Sequence, residues 1–157
     1  MKIGLTINGN RYEKEIPADR TLLDAIRSDF GLKGAKAYCR SGVCGACTVL
    51  IDGKPVSSCL MLVAQAKDKS VDTVEGMADG TNLHPVQRAF VENFGLQCGY
   101  CTPGMLLLTQ ALLQENPEPS KQEIIDYLGG NICRCTGYAR ILESVQAAAK
   151  MTKEASK

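Results

Sequence analysis

Eight cysteines fall into two sets of four, at positions 39, 44, 47 and 59 and then at 98, 101, 133 and 135, with nearly forty cysteine-free residues between them. Sulfurs that must meet fix the path of the chain around them, so this pattern restricts the fold more than any other feature of the sequence. The first set opens in CRSGVCGAC, residues 39–47, where small side chains and two glycines separate three thiols. Such a loop could hold a metal, form disulfides or carry a reactive thiol. The N-terminal MKIGLTINGN has no basic stretch leading into an apolar core and no twin arginine, and no apolar run is long enough to span a bilayer. The expected setting is cytoplasmic, without a membrane anchor. In that reducing compartment eight cysteines are not expected to form four structural disulfides, and metal binding becomes the leading explanation.

Composition narrows the function classes. Hydrophobic residues make up 45% of the chain and charged residues 22%, as in ordinary globular proteins. Lysine and arginine total 18 against 17 acidic residues, a formal charge of +1 that gives no broad attraction to nucleic acid or anionic lipid.

The first half reads as β-rich. Ile3, Leu5 and Ile7 alternate, Asn8-Gly9 supplies a hairpin turn, and RYEKEI returns as a second strand. TLLDAIRSDFG places Leu22, Leu23, Ile26 and Phe30 on one helical face, with Gly31 as the stop. TVLI and KPVSSC flank Asp52-Gly53 as a second hairpin, and VDTVEGM reads as a last short strand. From about residue 82 the pattern becomes helical. Pro85 opens a helix with Val86, Phe90, Val91 and Phe94, and Thr102-Pro103 starts a second, apolar nearly all round. SKQE, residues 120–123, is a capping box for a third, and a fourth runs from about Tyr138 through Ala149. These spans suggest a domain over 1–75, a linker over 76–82, a helical domain over 83–150 and a solvated tail over 151–157. CGYCTPG and CRCTGY occupy matching places in a weak helix–loop–helix repeat, which would bring four sulfurs to one end of a four-helix bundle.

The spacing Cys39-x4-Cys44-x2-Cys47, with Cys59 further on, matches the plant-type [2Fe–2S] pattern. A cluster with four thiolates is a dianion that gains further negative charge on reduction. A loop wrapped closely around it can aim backbone N–H groups at its sulfurs, and Gly42 and Gly45 relieve the steric limits on that wrapping. Structural zinc usually takes two close cysteine pairs, whereas Cys39 adds a third nearby thiol here. For Cys98, Cys101, Cys133 and Cys135 the spacing alone leaves iron–sulfur and zinc both open.

In order, CGACTVLIDGKPVSSC, LHPVQRAF, QCGYCTPGM and GNICRCTGY span nearly the whole chain. With them the sequence resembles the small iron–sulfur subunit of molybdenum hydroxylases, the xanthine dehydrogenase, aldehyde oxidase and CO dehydrogenase family. The resemblance implies an α+β chain: a β-grasp, plant-type ferredoxin-like N-terminal domain followed by an all-α four-helix-bundle domain, each with one [2Fe–2S] cluster. It implies that Cys98, Cys101, Cys133 and Cys135 hold the cluster proximal to molybdenum, and that Cys39, Cys44, Cys47 and Cys59 hold the distal one. It further implies that Gln97 and Cys135 contact the molybdopterin cofactor of a large subunit, and that electrons leave to FAD on a medium subunit or to another acceptor. A heterotrimer or a dimer of heterotrimers follows from the same likeness. Tyr38 and Val43 depart from the family pattern, which usually has glycine before the first cysteine and often glycine or glutamine before the second.

The remaining conspicuous residues have plainer readings. His84, the only histidine, reads as a residue that starts a helix, while Tyr100 and Tyr138 read as packing that shields a cluster. Arg134 either pairs with a partner subunit or offsets cluster charge. No activated nucleophile, acid–base pair or phosphate loop is visible, so no catalytic residue is expected on this chain. Two alternatives stand beside the electron-transfer subunit: a free-standing two-cluster ferredoxin and a zinc-binding interaction module.

Overall fold

The computed structural model describes residues 1–155. Strands β1 (Lys2–Ile7) and β2 (Asn10–Glu15) pair antiparallel through a two-residue turn in which Asn8 and Gly9 both have positive φ, 49° and 79°. Strands β3 (Thr48–Ile51) and β4 (Lys54–Ser57) repeat the device at Asp52 and Gly53, with φ of 50° and 81°. Such turns carry the twist the strands need, and Asn-Gly and Asp-Gly are the residue pairs that tolerate them. The short β5 (Ser70–Asp72) joins the hairpins, parallel to β1 and antiparallel to β3, giving the order β2-β1-β5-β3-β4. The expected last strand is thus shorter than VDTVEGM, because Val74–Gly76 closes into a 3-10 turn.

Ile3, Leu5 and Ile7 bury one face of β1 against Leu22, Leu23 and Ile26. The last three come from a helix that begins as α1 (Leu22–Asp24) and widens into a π-turn over Ala25–Asp29. Thr21 caps it by accepting the Asp24 N–H at 3.1 Å, and Gly31 ends it at φ 74°. The π-turn is a local widening that the apolar spacing did not announce. All of β2 is exposed, and its alternating charges suit an edge strand.

Four helices make up the second half: α2 (Pro85–Glu92), α3 (Thr102–Glu115), α4 (Lys121–Leu128) and α5 (Ala139–Ala155). His84 caps α2, its Nδ1 accepting the Val86 N–H at 3.2 Å while Gln87 Oε1 accepts the His84 N–H at 2.9 Å. Burial lowers the His84 pKa, keeping the ring neutral as a capping acceptor must be. The Ser120–Glu123 capping box forms as read. At α3 the cap position belongs to Cys101 rather than Thr102, and no side chain caps it. Val86, Phe90, Met105, Leu112, Ile124, Ile141 and Val145 form one core. Among the described residues no helix is long and apolar enough to cross a membrane.

Two sequence expectations need correction. Val91 and Phe94 do not join the core: they are 55% and 74% exposed. α2 stops at Glu92, and the following turn puts Phe94 at φ 56° so that Gly95 can press against Phe90 and Ser144. The segment read as a solvated tail continues α5 as far as Ala155, with Met151 packed on the core and Lys153 paired to Glu118; residues 156 and 157 lie outside the described residues. The stretch read as linker is also held, since Met77 packs against both Leu107 and the helical core, and Asp79 bridges to Asn82. Leu50 of β3 meets Leu107 and Ala111 of α3, so the sheet and the central helix share an apolar contact.

Candidate metal centres

The loop before β3 carries Cys39, Cys44 and Cys47, and Cys59 follows β4. Cys44, Cys47 and Cys59 are buried and Cys39 is partly so. The loop turns back on itself through Lys36 N–H to Ala46 C=O at 2.9 Å, with Gly42 at φ 78° and Gly45 at φ 68°. The N–H groups of Ser41 and Cys44 point at the Cys39 sulfur, the first at 3.4 Å, and bring its pKa down to about 6. Burial pushes the Cys47 thiol up to about 11, within hydrogen-bonding reach of Cys59. Cys44 thus bears on the Cys39 thiol, and Cys59 on that of Cys47.

The second set has the same layout. Cys98 and Cys101 precede α3, while Cys133 and Cys135 lie in the loop before α5. Cys135 Sγ stands 3.4 Å from Cys98 Sγ, and Cys101 pairs with Cys133. Burial would raise the Cys133 thiol, but the Thr136 hydroxyl at 3.1 Å and the Thr136 N–H at 3.4 Å, together with the Cys135 N–H, outweigh it and lower the pKa. Burial pushes Cys101 up to about 12. The Tyr100 N–H and the Cys135 side chain lower Cys98. Tyr138, at φ 69°, accepts the Cys133 N–H on its hydroxyl at 2.9 Å. The weak repeat holds in outline, though α5 starts three residues beyond Thr136 rather than at it.

Zinc needs its donors tetrahedrally around one point, whereas a binuclear iron cluster takes four thiolates over two irons. Paired sulfurs, buried thiols and converging N–H groups fit the second kind of group.

The two sets face each other. Residues from both line a cavity of about 450 Å³, among them Cys44, Cys98, Cys101, Cys133 and Cys135. The Ile132 N–H donates to the Cys44 carbonyl at 2.9 Å, and the Tyr100 hydroxyl donates to the Ala37 carbonyl at 3.1 Å. Tyr38 lies edge-on to Tyr100, with ring centroids 6.0 Å apart. Tyr100 and Tyr138 thus brace the loops as well as covering them. Gln97, Cys98 and Cys135 are all exposed, as is Arg134 at the cavity rim. Asn131, which the sequence reading passed over, is buried beside Gly45 and donates to the Cys101 carbonyl at 3.3 Å. Its only sequence signal is a polar residue two places before a cysteine.

Comparison with known proteins matches this geometry. A 2Fe-2S iron-sulfur cluster binding domain matches residues 5–84 and a [2Fe-2S] binding domain matches residues 73–146. The nicotine 6-hydroxylase small subunit of Paenarthrobacter nicotinovorans is 48% identical, over 92% of this chain and 87% of the relative. The nicotinate dehydrogenase small FeS subunit of Eubacterium barkeri is 44% identical over 93% of each. The solved quinoline 2-oxidoreductase of Pseudomonas putida 86 superimposes with a TM-score of 0.94 at 44% identity, covering 98% of this chain and 96% of the matched one. With two [2Fe–2S] domains in series and relatives of this closeness, the chain belongs to the small iron–sulfur subunits of the molybdenum hydroxylases and carries two [2Fe–2S] clusters.

Proposed function

We propose that this chain is the electron-transfer subunit of a heterotrimeric molybdenum hydroxylase, receiving electrons from a molybdopterin-bearing large subunit and delivering them to FAD on a medium subunit. When bound, the two clusters supply one-electron redox capacity, which no side chain here could provide. Cys39, Cys44, Cys47 and Cys59 would hold the distal cluster. Cys98, Cys101, Cys133 and Cys135 would hold the proximal one. The helices α2 to α5 are read as the four-helix bundle around the proximal site, and the sheet with α1 as the β-grasp domain, their boundary falling within 76–82.

The observation that carries this reading is the single hydrogen bond from Ile132 N–H to Cys44 C=O. It joins the residue beside one proposed ligand, Cys133, to another, Cys44, and so links the two sites through backbone alone. At the other end of the path, exposed Cys98, Cys135 and Gln97 form an open face. A partner's cofactor could approach there, and a freely diffusing carrier has no need to bury it.

The test is native affinity purification from the source cell through a tag on this chain. Molybdenum and FAD are expected to co-purify in fixed ratio to it. Elution of the chain alone, with its clusters but neither cofactor, would contradict the subunit reading and leave a free-standing ferredoxin.

A further inference from the structure

Arg40 directly follows the first cysteine of the distal loop, and it is the one non-glycine residue of 33–47 with a positive φ, 54°. From that backbone turn its side chain reaches the end of α1. There NH1 donates to Asp24 Oδ2 at 3.0 Å and NH2 donates to Asp24 Oδ1 at 2.8 Å. This two-pronged geometry is the strongest that an arginine and a carboxylate can form. Asp24 is itself fixed: Oδ2 also accepts the Thr21 hydroxyl at 2.8 Å, and its N–H is the one Thr21 caps. The carboxylate side chain is two-thirds buried, being 33% exposed, where the helix widens into its π-turn. The helix that carries Asp24 is tied to the segment bearing Cys59, the Leu23 N–H donating to the Ser58 carbonyl at 3.1 Å. The Arg40 guanidinium, on the residue that follows Cys39, is therefore held by a carboxylate of the helix tied beside Cys59. Arg20, paired with Asp29 at 2.8 Å, adds a weaker positive influence on Asp24.

We propose that Asp24 and Arg40 form a latch that positions one cation beside the distal cluster and sets its reduction potential. Neither residue is a ligand. The inference rests on the proposed ligation by Cys39, Cys44, Cys47 and Cys59. Reduction adds negative charge to an anionic cluster, so a nearby cation favours the reduced form. Asp24 aims that cation and at the same time damps it. The two halves of the latch then act in opposite directions, which mere loop bracing would not do.

The experiment is a redox titration followed by electron paramagnetic resonance on the intact native protein, with the proximal cluster as internal reference. Arg40→Gln leaves the carboxylate without its cation and is expected to lower the distal potential. Asp24→Asn leaves the cation undamped and is expected to raise it. The double variant is expected to fall between the two. Each single change is expected to alter the sharing of an electron between the clusters roughly three- to tenfold, tenfold being ~59 mV for one electron. Single variants that shift in the same direction, or not at all, while the distal signal persists, would overturn the latch. If Arg40→Gln costs the cluster itself, Asp24→Asn carries the test, since it keeps the guanidinium. Absence of a distal signal in the unaltered protein would instead remove the ligand assignment beneath the proposal.

Discussion

Cys133→Ala is expected to abolish one of two [2Fe–2S] signals, to halve iron and acid-labile sulfide, and to leave the other cluster intact. The sulfur of Cys133 is buried, paired with Cys101, and fed by two hydrogen bonds from Thr136. Alanine supplies no donor, and the two buried thiols of the site cannot be replaced by water. The helices are expected to survive, because alanine keeps the position apolar in the core that Cys133 shares with Phe90, Met105, Ile141 and Val145. Helical circular dichroism is therefore expected to stay close to that of the unaltered protein while the visible spectrum loses about half its intensity. Loss of both signals, or of neither, would contradict the division into two independent sets of four.

The second large effect belongs to Gly45. With φ at 68° it already occupies a region that costs other residues about 1–2 kcal/mol. A methyl group there would also overlap the Gly130 carbonyl oxygen and lie 2.7 Å from Asn131 Cα. Both partners are backbone atoms of the opposite site, so neither can swing aside. Gly45→Ala is expected to cost about 2–5 kcal/mol once overpacking is added. Gly53→Ala is the matched control: its φ is 81°, yet nothing lies within 4 Å of the added methyl. For a chain of this size the control should melt about 2–4 °C lower for each kcal/mol lost, and Gly45→Ala at least twice as far down. Equal shifts for the two would mean that the close approach between the sites carries no energy.

These two positions also mark how far the sequence could be read. Asn8-Gly9, Asp52-Gly53 and the Ser120–Glu123 box announce turns and caps because their chemistry is local, and the structure places each where the residues say. The cysteine spacings announce two [2Fe–2S] domains for a related reason, since such domains constrain their cysteines along the chain as well as in space. What stays hidden is contact between distant residues. Gly45 looks like a loop glycine, and only its meeting with Gly130 and Asn131, some 85 residues on, shows that it is also a spacer. Asn131 and the Asp24–Arg40 pair were missed for the same reason. Val91 and Phe94 fit the apolar face of a helix, but α2 ends at Glu92 and Phe94 lies beyond it at φ 56°, in a turn set by contacts that the spacing does not record. The π-turn after α1 leaves the apolar spacing unchanged and so leaves no mark in it.

Electron paramagnetic resonance of the dithionite-reduced native protein, with iron, zinc and acid-labile sulfide measured on the same sample, tests the central claim most directly. Two distinguishable spin-half signals, with iron and sulfide sufficient for two [2Fe–2S] clusters, are the result expected. Zinc in place of iron, without sulfide, would contradict it.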